Sequence, residues 1–253
     1  MLRLLINVLL SFFVGLNMVF AANIDSLMTS ANEHYKNGKF DEAINSYESI
    51  IKQGFQSDVL YFNLGNAYFK HKNIPAAILN YERAQLLNPG DDDIRFNLDL
   101  SRTFTVDKIE PLPEFLFTKF LRSIRNTMST NGWAYLGIIL FTFTLLSAAI
   151  FWFTYRRGIK KITFSIGLIT LVITITSFIF SYQQKKLLTN HEYGIIFPSV
   201  IAVKSSPGVS GKDLFILHSG TKVKITNSIG DWLEIKIADG NKGWALSDVL
   251  QRI

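Results

Sequence analysis

The sequence has no cysteine. That excludes a structural disulfide, a thiolate metal site, a cysteine nucleophile and a lipid-modified N-terminal cysteine, and it leaves the redox compartment open. Charge is also scarce: 18% of the 253 residues are charged, against roughly 25% in a typical soluble domain. What fills the space is apolar, at 48% of the chain with 21 phenylalanines, which is too hydrophobic for a disordered protein. The net charge of +6 averages unlike blocks. Residues 23–101 hold 11 acids and 7 bases, a balance of −4, whereas residues 156–161 hold four bases and no acid, and residues 183–253 hold nine bases and six acids. The excess base therefore lies beside the apolar segments, as on the flanks of a membrane protein and not on a nucleic-acid-binding face.

Three segments are apolar. Residues 1–22 read MLRLLINVLLSFFVGLNMVFAA, with Arg3 ahead of an apolar run and Val19-Phe20-Ala21 as a small-residue cleavage signal. A signal peptide over 1–21 is expected, with an uncleaved anchor as the alternative. Residues 133–155 and 162–182 are uncharged stretches long enough to cross a hydrocarbon core. Trp133, Tyr135, Trp152, Tyr155 and Tyr182 sit near their ends, an aromatic-belt pattern. The six residues between them, Arg156-Arg157-Gly158-Ile159-Lys160-Lys161, force a tight hairpin, and four positive charges place this loop in the cytoplasm. Both flanking regions are then expected on the periplasmic face of a bacterial inner membrane, the side a signal peptide also predicts. Lys119, Arg122, Arg125, Lys185 and Lys186 are a sparser counter-signal on that side.

Between residues 24 and 91 the sequence repeats with a period of 34. Ala31 aligns with Gly65, Gly38 with Lys72, Phe40 with Ile74, Ala43 with Ala77, Ile44 with Ile78 and Tyr47 with Tyr81. The second unit, YFNLGNAYFKHKNIPAAILNYERAQLLNP, is the clearer. Gly65 and Ala77 are small where two antiparallel helices must approach, Pro75 suits a helix start, Pro89 ends that helix, and Asp91-Asp92-Asp93 opens a third helix able to act as a cap. The unit resembles a tetratricopeptide repeat, so residues 22–101 are read as a tetratricopeptide domain with a capping helix. Two units are short of the usual three, and the membrane-proximal segment or another protein is expected to complete the stack. The resemblance implies a peptide-binding groove lined by Met28, Asn32, Tyr35 and Lys36 in the first unit and by Phe62, Asn63, Asn66, Phe69 and Lys70 in the second. Asn32 and Asn63 fit a carboxylate clamp, but Met28, Asp93 and Asn97 stand where its basic residues belong, so an apolar peptide segment is the better expectation. The alternative for Phe62 and Phe69 is packing against the capping helix.

Residues 102–132 carry Asp107-Lys108-Ile109-Glu110-Pro111-Leu112-Pro113-Glu114, whose prolines favour an extended spacer, and then Phe117, Phe120, Leu121, Ile124 and Met128 at helical spacing with Lys119, Arg122 and Arg125 on other faces. This reads as a linker and a basic amphipathic helix at the membrane surface, or as an extension of the first span.

From residue 190 to 253 the period falls to two, with runs such as Trp232-Leu233-Glu234-Ile235-Lys236-Ile237 separated by turns such as Ala238-Asp239-Gly240-Asn241. About five short strands make a small barrel. The stretch LHSGTKVKI…GDWLEIKIADGNKGWALSDVL resembles a bacterial SH3 domain through Leu217, Gly220, Val223, Trp232, Ile235, Gly240, Gly243, Trp244 and Val249. Trp232 and Trp244 form either a ligand groove or part of the barrel core.

Sites for chemistry are missing. His34, His71, His191 and His218 have no metal-ligand spacing, Gly208-Val209-Ser210-Gly211-Lys212 lacks phosphate-loop spacing, and Asp91-Asp92-Asp93 lacks the alternation of a calcium loop. No cofactor and no enzymatic activity are expected. The fold class is multidomain: α-helical tetratricopeptide repeats, two transmembrane helices and a C-terminal all-β SH3-like barrel. This order, together with NLDLSRTFTVDKIEPLPEF, resembles the BatE family of the bacterial aerotolerance operon. The resemblance implies partners among membrane proteins with von Willebrand A domains and a scaffolding role. A cell-wall sensor binding peptidoglycan through the SH3-like barrel is the other expectation. The bilayer is a partner on either reading, and nucleic acid is not.

Overall fold

The computed structural model describes residues 24–253; the expected signal peptide lies outside the described residues. The first helix, α1, runs over 24–36, and α2 (Phe40–Lys52) returns against it. The second repeat follows as α3 (Asp58–Lys70) and α4 (Ile74–Leu87), and α5 (Asp92–Thr103) stacks on α4. Short polar side chains start these helices. Ser57 accepts from the Leu60 amide, Asn73 from Ala76, and Asp91 from Asp93 and Ile94, each satisfying an amide with no partner inside the helix. Gly65 is needed for contact: a Cβ there would lie 2.7 Å from the Tyr81 ring. The αL turn joining the helices of each unit is also repeated, at Gly38 (φ 74°) and, 34 residues on, at Lys72 (φ 65°).

The linker is extended, as its prolines require, but it is fastened along the barrel and is not a free spacer. The Leu112 amide donates to Ala238 O (3.1 Å), and Ile109 packs against the barrel core. Next come α6 (Leu116–Arg125), α7 (Thr130–Phe153) and α8 (Arg157–Asn190). The last two form a hairpin. The expected loop at 156–161 is mostly helical, because α8 starts at Arg157, and the second helix passes the expected end at 182 by eight residues. Small residues let the hairpin close: Gly137 lies under the Phe178 ring, and Thr144 Oγ1 and Thr170 Oγ1 are 2.8 Å apart. Both helices are long and apolar enough to cross a membrane. Only 11% of the most apolar window of each is buried, which a core helix of a soluble domain would not show.

His191 (φ 44°) turns α8 directly into the barrel. Seven short strands, more than the five expected, form one antiparallel sheet: β1 (Tyr193–Ile196), β2 (Val200–Lys204), β3 (Asp213–His218), β4 (Lys222–Ile229), β5 (Trp232–Lys236), β6 (Lys242–Leu246) and β7 (Leu250–Arg252). Their order is β3-β2-β6-β5-β4-β1-β7. Alternation sends Val203, Leu217, Val223, Leu233, Ile235 and Ala245 into the core.

The two modules touch. Ala77, Ile78, Leu79 and Tyr81 of α4 and Leu98 of α5 share one apolar cluster with Ile195 and Ile253 of the barrel. The barrel thus covers a face of α4 that α3 and α5 leave open. At Gly220 (φ 86°) a Cβ would lie 2.7 Å from Thr105 Cγ2 and 3.2 Å from Ile78 Cδ1, so the contact is close enough to require glycine.

Candidate binding groove and the module interface

A cleft opens on the α1–α3 side, where the repeat pattern predicts a groove. Asn32, Tyr35, Lys36, Asn63 and Asn66 line a cleft of about 320 Å³, with Tyr47 at its floor. The asparagines are held by the fold. Tyr47 OH donates to Asn32 Oδ1 (2.6 Å), and 34 residues on Tyr81 OH donates to Asn66 Oδ1 (2.7 Å). Asn63 Nδ2 donates to Asn32 Oδ1 (3.2 Å), joining the repeats. Burial pushes the Tyr47 phenol up to about 12 and the Tyr81 phenol up as well, so both are neutral donors near pH 7. Asn32 is a shared acceptor, and its position in the period gives that away: it precedes Tyr47 by the same 15 residues as Asn66 precedes Tyr81.

Phe62 and Phe69 do not line this cleft. Phe62 is half-buried with its ring 5.9 Å from Tyr81, and Phe69 meets Phe104, at the end of α5, edge-on at 5.6 Å. Packing against the cap is therefore the arrangement found for Phe69. Lys70 is exposed at the end of α3.

Trp232 and Trp244 are both half-buried on the face of β5 and β6 opposite the core. Register places Trp232 opposite Leu246 and Trp244 opposite Glu234, so the two indoles are diagonal neighbours. Neither belongs to the core cluster; the core positions are the alternate ones, Leu233, Ile235 and Ala245. The indoles therefore lie outside the barrel core.

Residues 199–251 match the bacterial SH3 domain family, and residues 59–91 match the tetratricopeptide repeat family. Both modules are of kinds that bind proteins. No curated protein matches the chain.

Two polar clusters that the sequence did not single out bind the modules together. Glu82 of α4 has a side chain only 2% exposed; its oxygens accept from Arg102 of α5 (2.7 Å) and Lys222 of β4 (2.6 Å). Burial alone would raise its pKa, but the two cations and their hydrogen bonds outweigh burial and hold it below the usual carboxylate range. Asp107 of the linker accepts from the His218 amide (2.8 Å) and Thr221 Oγ1 (2.6 Å) and pairs with His218 Nδ1 (2.7 Å). Burial raises its pKa and these bonds more than reverse that, so it too lies below its ordinary value. A second cleft, about 270 Å³, opens behind the repeats between Asn73, Asn80 and Arg83 and the barrel's Phe197 and Gln251. Arg83 closes one side by donating to Arg252 O (2.7 Å). Among the described residues no group of three His, Asp or Glu side chains is placed to hold a metal.

Proposed function

We propose that this chain is a non-enzymatic scaffold of the bacterial inner membrane, with α7 and α8 spanning the bilayer and the repeats and barrel together on the periplasmic side. The observation that carries the reading is the fusion of two binding modules into one head at the open end of an apolar hairpin, with Asn32, Asn63 and Asn66 lining one cleft on that head. The groove takes a segment of a membrane partner, and the resemblance to the aerotolerance family points to one with a von Willebrand A domain. The four bases at the closed end of the hairpin support a cytoplasmic turn.

Pull-down of the tagged full chain from detergent-solubilised native membranes tests the reading. Lys36→Glu with Asn63→Ala alters the cleft without touching the core, whereas Phe62 and Phe69 would be poor choices because their rings pack inside the domain. The double variant should lose the von Willebrand A partner, while its unfolding temperature falls by no more than the few degrees expected for the lost Asn63–Asn32 bond. Equal recovery from wild type and variant rejects the groove. A C-terminal tag digested by protease in intact spheroplasts is the expected topology result; protection until lysis rejects it.

A second reading is cell-wall recognition by the barrel, favoured by the outward placement of Trp232 and Trp244 beside Leu246. Sedimentation of the full chain in detergent with purified sacculi, lost in Trp244→Ala, would support this second role.

A further inference from the structure

Helix α6 has no buried residue. Phe115 and Leu116 are each 85% exposed, Phe117 69% and Phe120 60%, an unusual density of bare apolar side chains in an eleven-residue stretch. At 100° per residue Leu116, Phe117, Phe120, Leu121 and Ile124 fall within one arc of about 140°, and Thr118, Lys119, Arg122, Ser123 and Arg125 fill the rest. The helix is held in place by its C-terminal end. Trp133 Nε1 and Gln184 Nε2 both donate to Arg125 O (2.8 Å each), and Gln184 also donates to Met128 O (2.7 Å). On the other side, Gly90 sits so close to the 126–127 backbone that a Cβ there would lie 2.6 Å from Thr127 O. The C-terminal end of α6 is thus pinned between the repeat domain and the end of the hairpin, at the level of Trp133 and Gln184. Lys185 and Lys186 follow Gln184 directly on α8 and are exposed.

We propose that α6 is an interfacial anchor whose apolar face enters the outer edge of the bilayer while Lys119, Arg122 and Arg125, with Lys185 and Lys186 of α8, contact anionic phospholipid headgroups. The occupant is lipid because the face is continuous with the hairpin: four residues separate α6 from α7, and the last residue of α6 is bonded to Trp133 near the start of α7. One of the bases, Arg122, is partly neutralised by Glu114, so the band is strongest at the other four. Anionic lipid supplies the complementary charge. The inference rests on the reading that α7 and α8 span a membrane.

The absence of cysteine makes the test direct, since single cysteines can be introduced into the full chain and spin-labelled. Labels at Phe117→Cys and Phe120→Cys, at Thr118→Cys and Ser123→Cys, and at Ile139→Cys within α7 would be compared in vesicles of phosphatidylcholine with and without 30% phosphatidylglycerol, about a physiological anionic fraction. Collision with oxygen reports the acyl region, and collision with a water-soluble nickel chelate reports the aqueous phase. Positions 117 and 120 should favour oxygen at least threefold more than positions 118 and 123, and phosphatidylglycerol should widen the difference. Equal aqueous exposure at 117, 118, 120 and 123, with 139 in the acyl region, overturns the anchor. Shielding of 117 and 120 from both reagents overturns it in favour of a protein contact. A difference unchanged by phosphatidylglycerol overturns the headgroup assignment. Aqueous exposure at 139 instead overturns the membrane reading itself, so the two failures are distinguishable.

Discussion

Removing the negative charge of Glu82 should weaken the docking of barrel on repeats, and the size of the effect follows from the surroundings. The carboxylate is 2% exposed and has two cationic partners, Arg102 at 2.7 Å on its own module and Lys222 at 2.6 Å on the other. A hydrogen bond to a charged group contributes roughly 1.5–3 kcal/mol. The cations keep 42% and 35% exposure and recover part of their hydration when the pair is broken, which lowers the loss. Glu82→Gln keeps an acceptor and the shape but not the charge, and should cost about 2 kcal/mol. Lys222→Met should cost about the same, because Arg102 still holds the carboxylate. The double variant should cost less than the sum by about 1–2 kcal/mol, the coupling expected of groups in contact. At about 2–4 °C per kcal/mol for a unit of 150–250 residues, each single change lowers the melting temperature by roughly 4–8 °C. The measurement is thermal unfolding of the full chain in detergent, followed by tryptophan emission with Trp133 and Trp152 of α7 replaced by Phe so that Trp232 and Trp244 report alone. Additive effects, with no coupling between 82 and 222, would refute the docking of the modules through this pair.

Other consequences can be checked in the same assay. Lys72→Gly should stabilise by about 1 kcal/mol, since Lys72 holds the left-handed φ of 65° that Gly38 fills in the first repeat; a loss of stability would argue against that backbone conformation. Leu233→Ala should cost about 2–5 kcal/mol and Trp244→Ala much less, because only Leu233 is in the barrel core; equal costs would put the indole inside. For pH, Glu82 and Asp107 both titrate below their ordinary values of 4.5 and 3.8, so the folded state binds fewer protons than the unfolded one. Their stabilisation is present at neutral pH and lost as pH falls below about 4.5 and through the folded values. Asp107→Asn should flatten part of that acid limb, and an unchanged limb would remove Asp107 from the account.

The parts of the fold set by local chemistry were legible. Period 34 marked the repeats, Pro75 and the Asp91–Asp93 run marked helix starts, and Gly65 marked the close approach to Tyr81. Uncharged length marked α7 and α8, and period two marked the strands. Asn32, Tyr35, Asn63 and Asn66 line one cleft because the repeat fixes which side of α1 and α3 they occupy. Phe62 and Phe69 fell elsewhere because their neighbours, Tyr81 and Phe104, belong to other helices, and helical spacing within α3 does not encode which of its faces α4 and α5 cover. The Glu82–Lys222 and Asp107–His218 pairs were illegible for the same reason at longer range: the partners are 140 and 111 residues apart, and either member alone reads as an ordinary surface charge.

The docked head shows instead in the burial of α4. A surface helix needs an apolar stripe about 100° wide, and its other faces are polar. In α4 eight of fourteen residues are buried, in the nearly unbroken run Ala76 to Ala84, so it is covered on several sides. The helices α3 and α5 cover part of it, and two repeats alone would leave the remainder in water. That remainder, centred on Ile78, Leu79 and Glu82, is where Ile195, Ile253 and Lys222 sit. A short repeat array is stable when something supplies the missing neighbour. Here the barrel does so, and α8 passes into β1 with only His191 and Glu192 between them. The end of the hairpin is thus tied to the head by this junction, by the contact of α4 with α8 and by the pinned end of α6. The cleft of α1 and α3 and the outward indoles of β5 and β6 consequently belong to one head that is joined to the hairpin at three places.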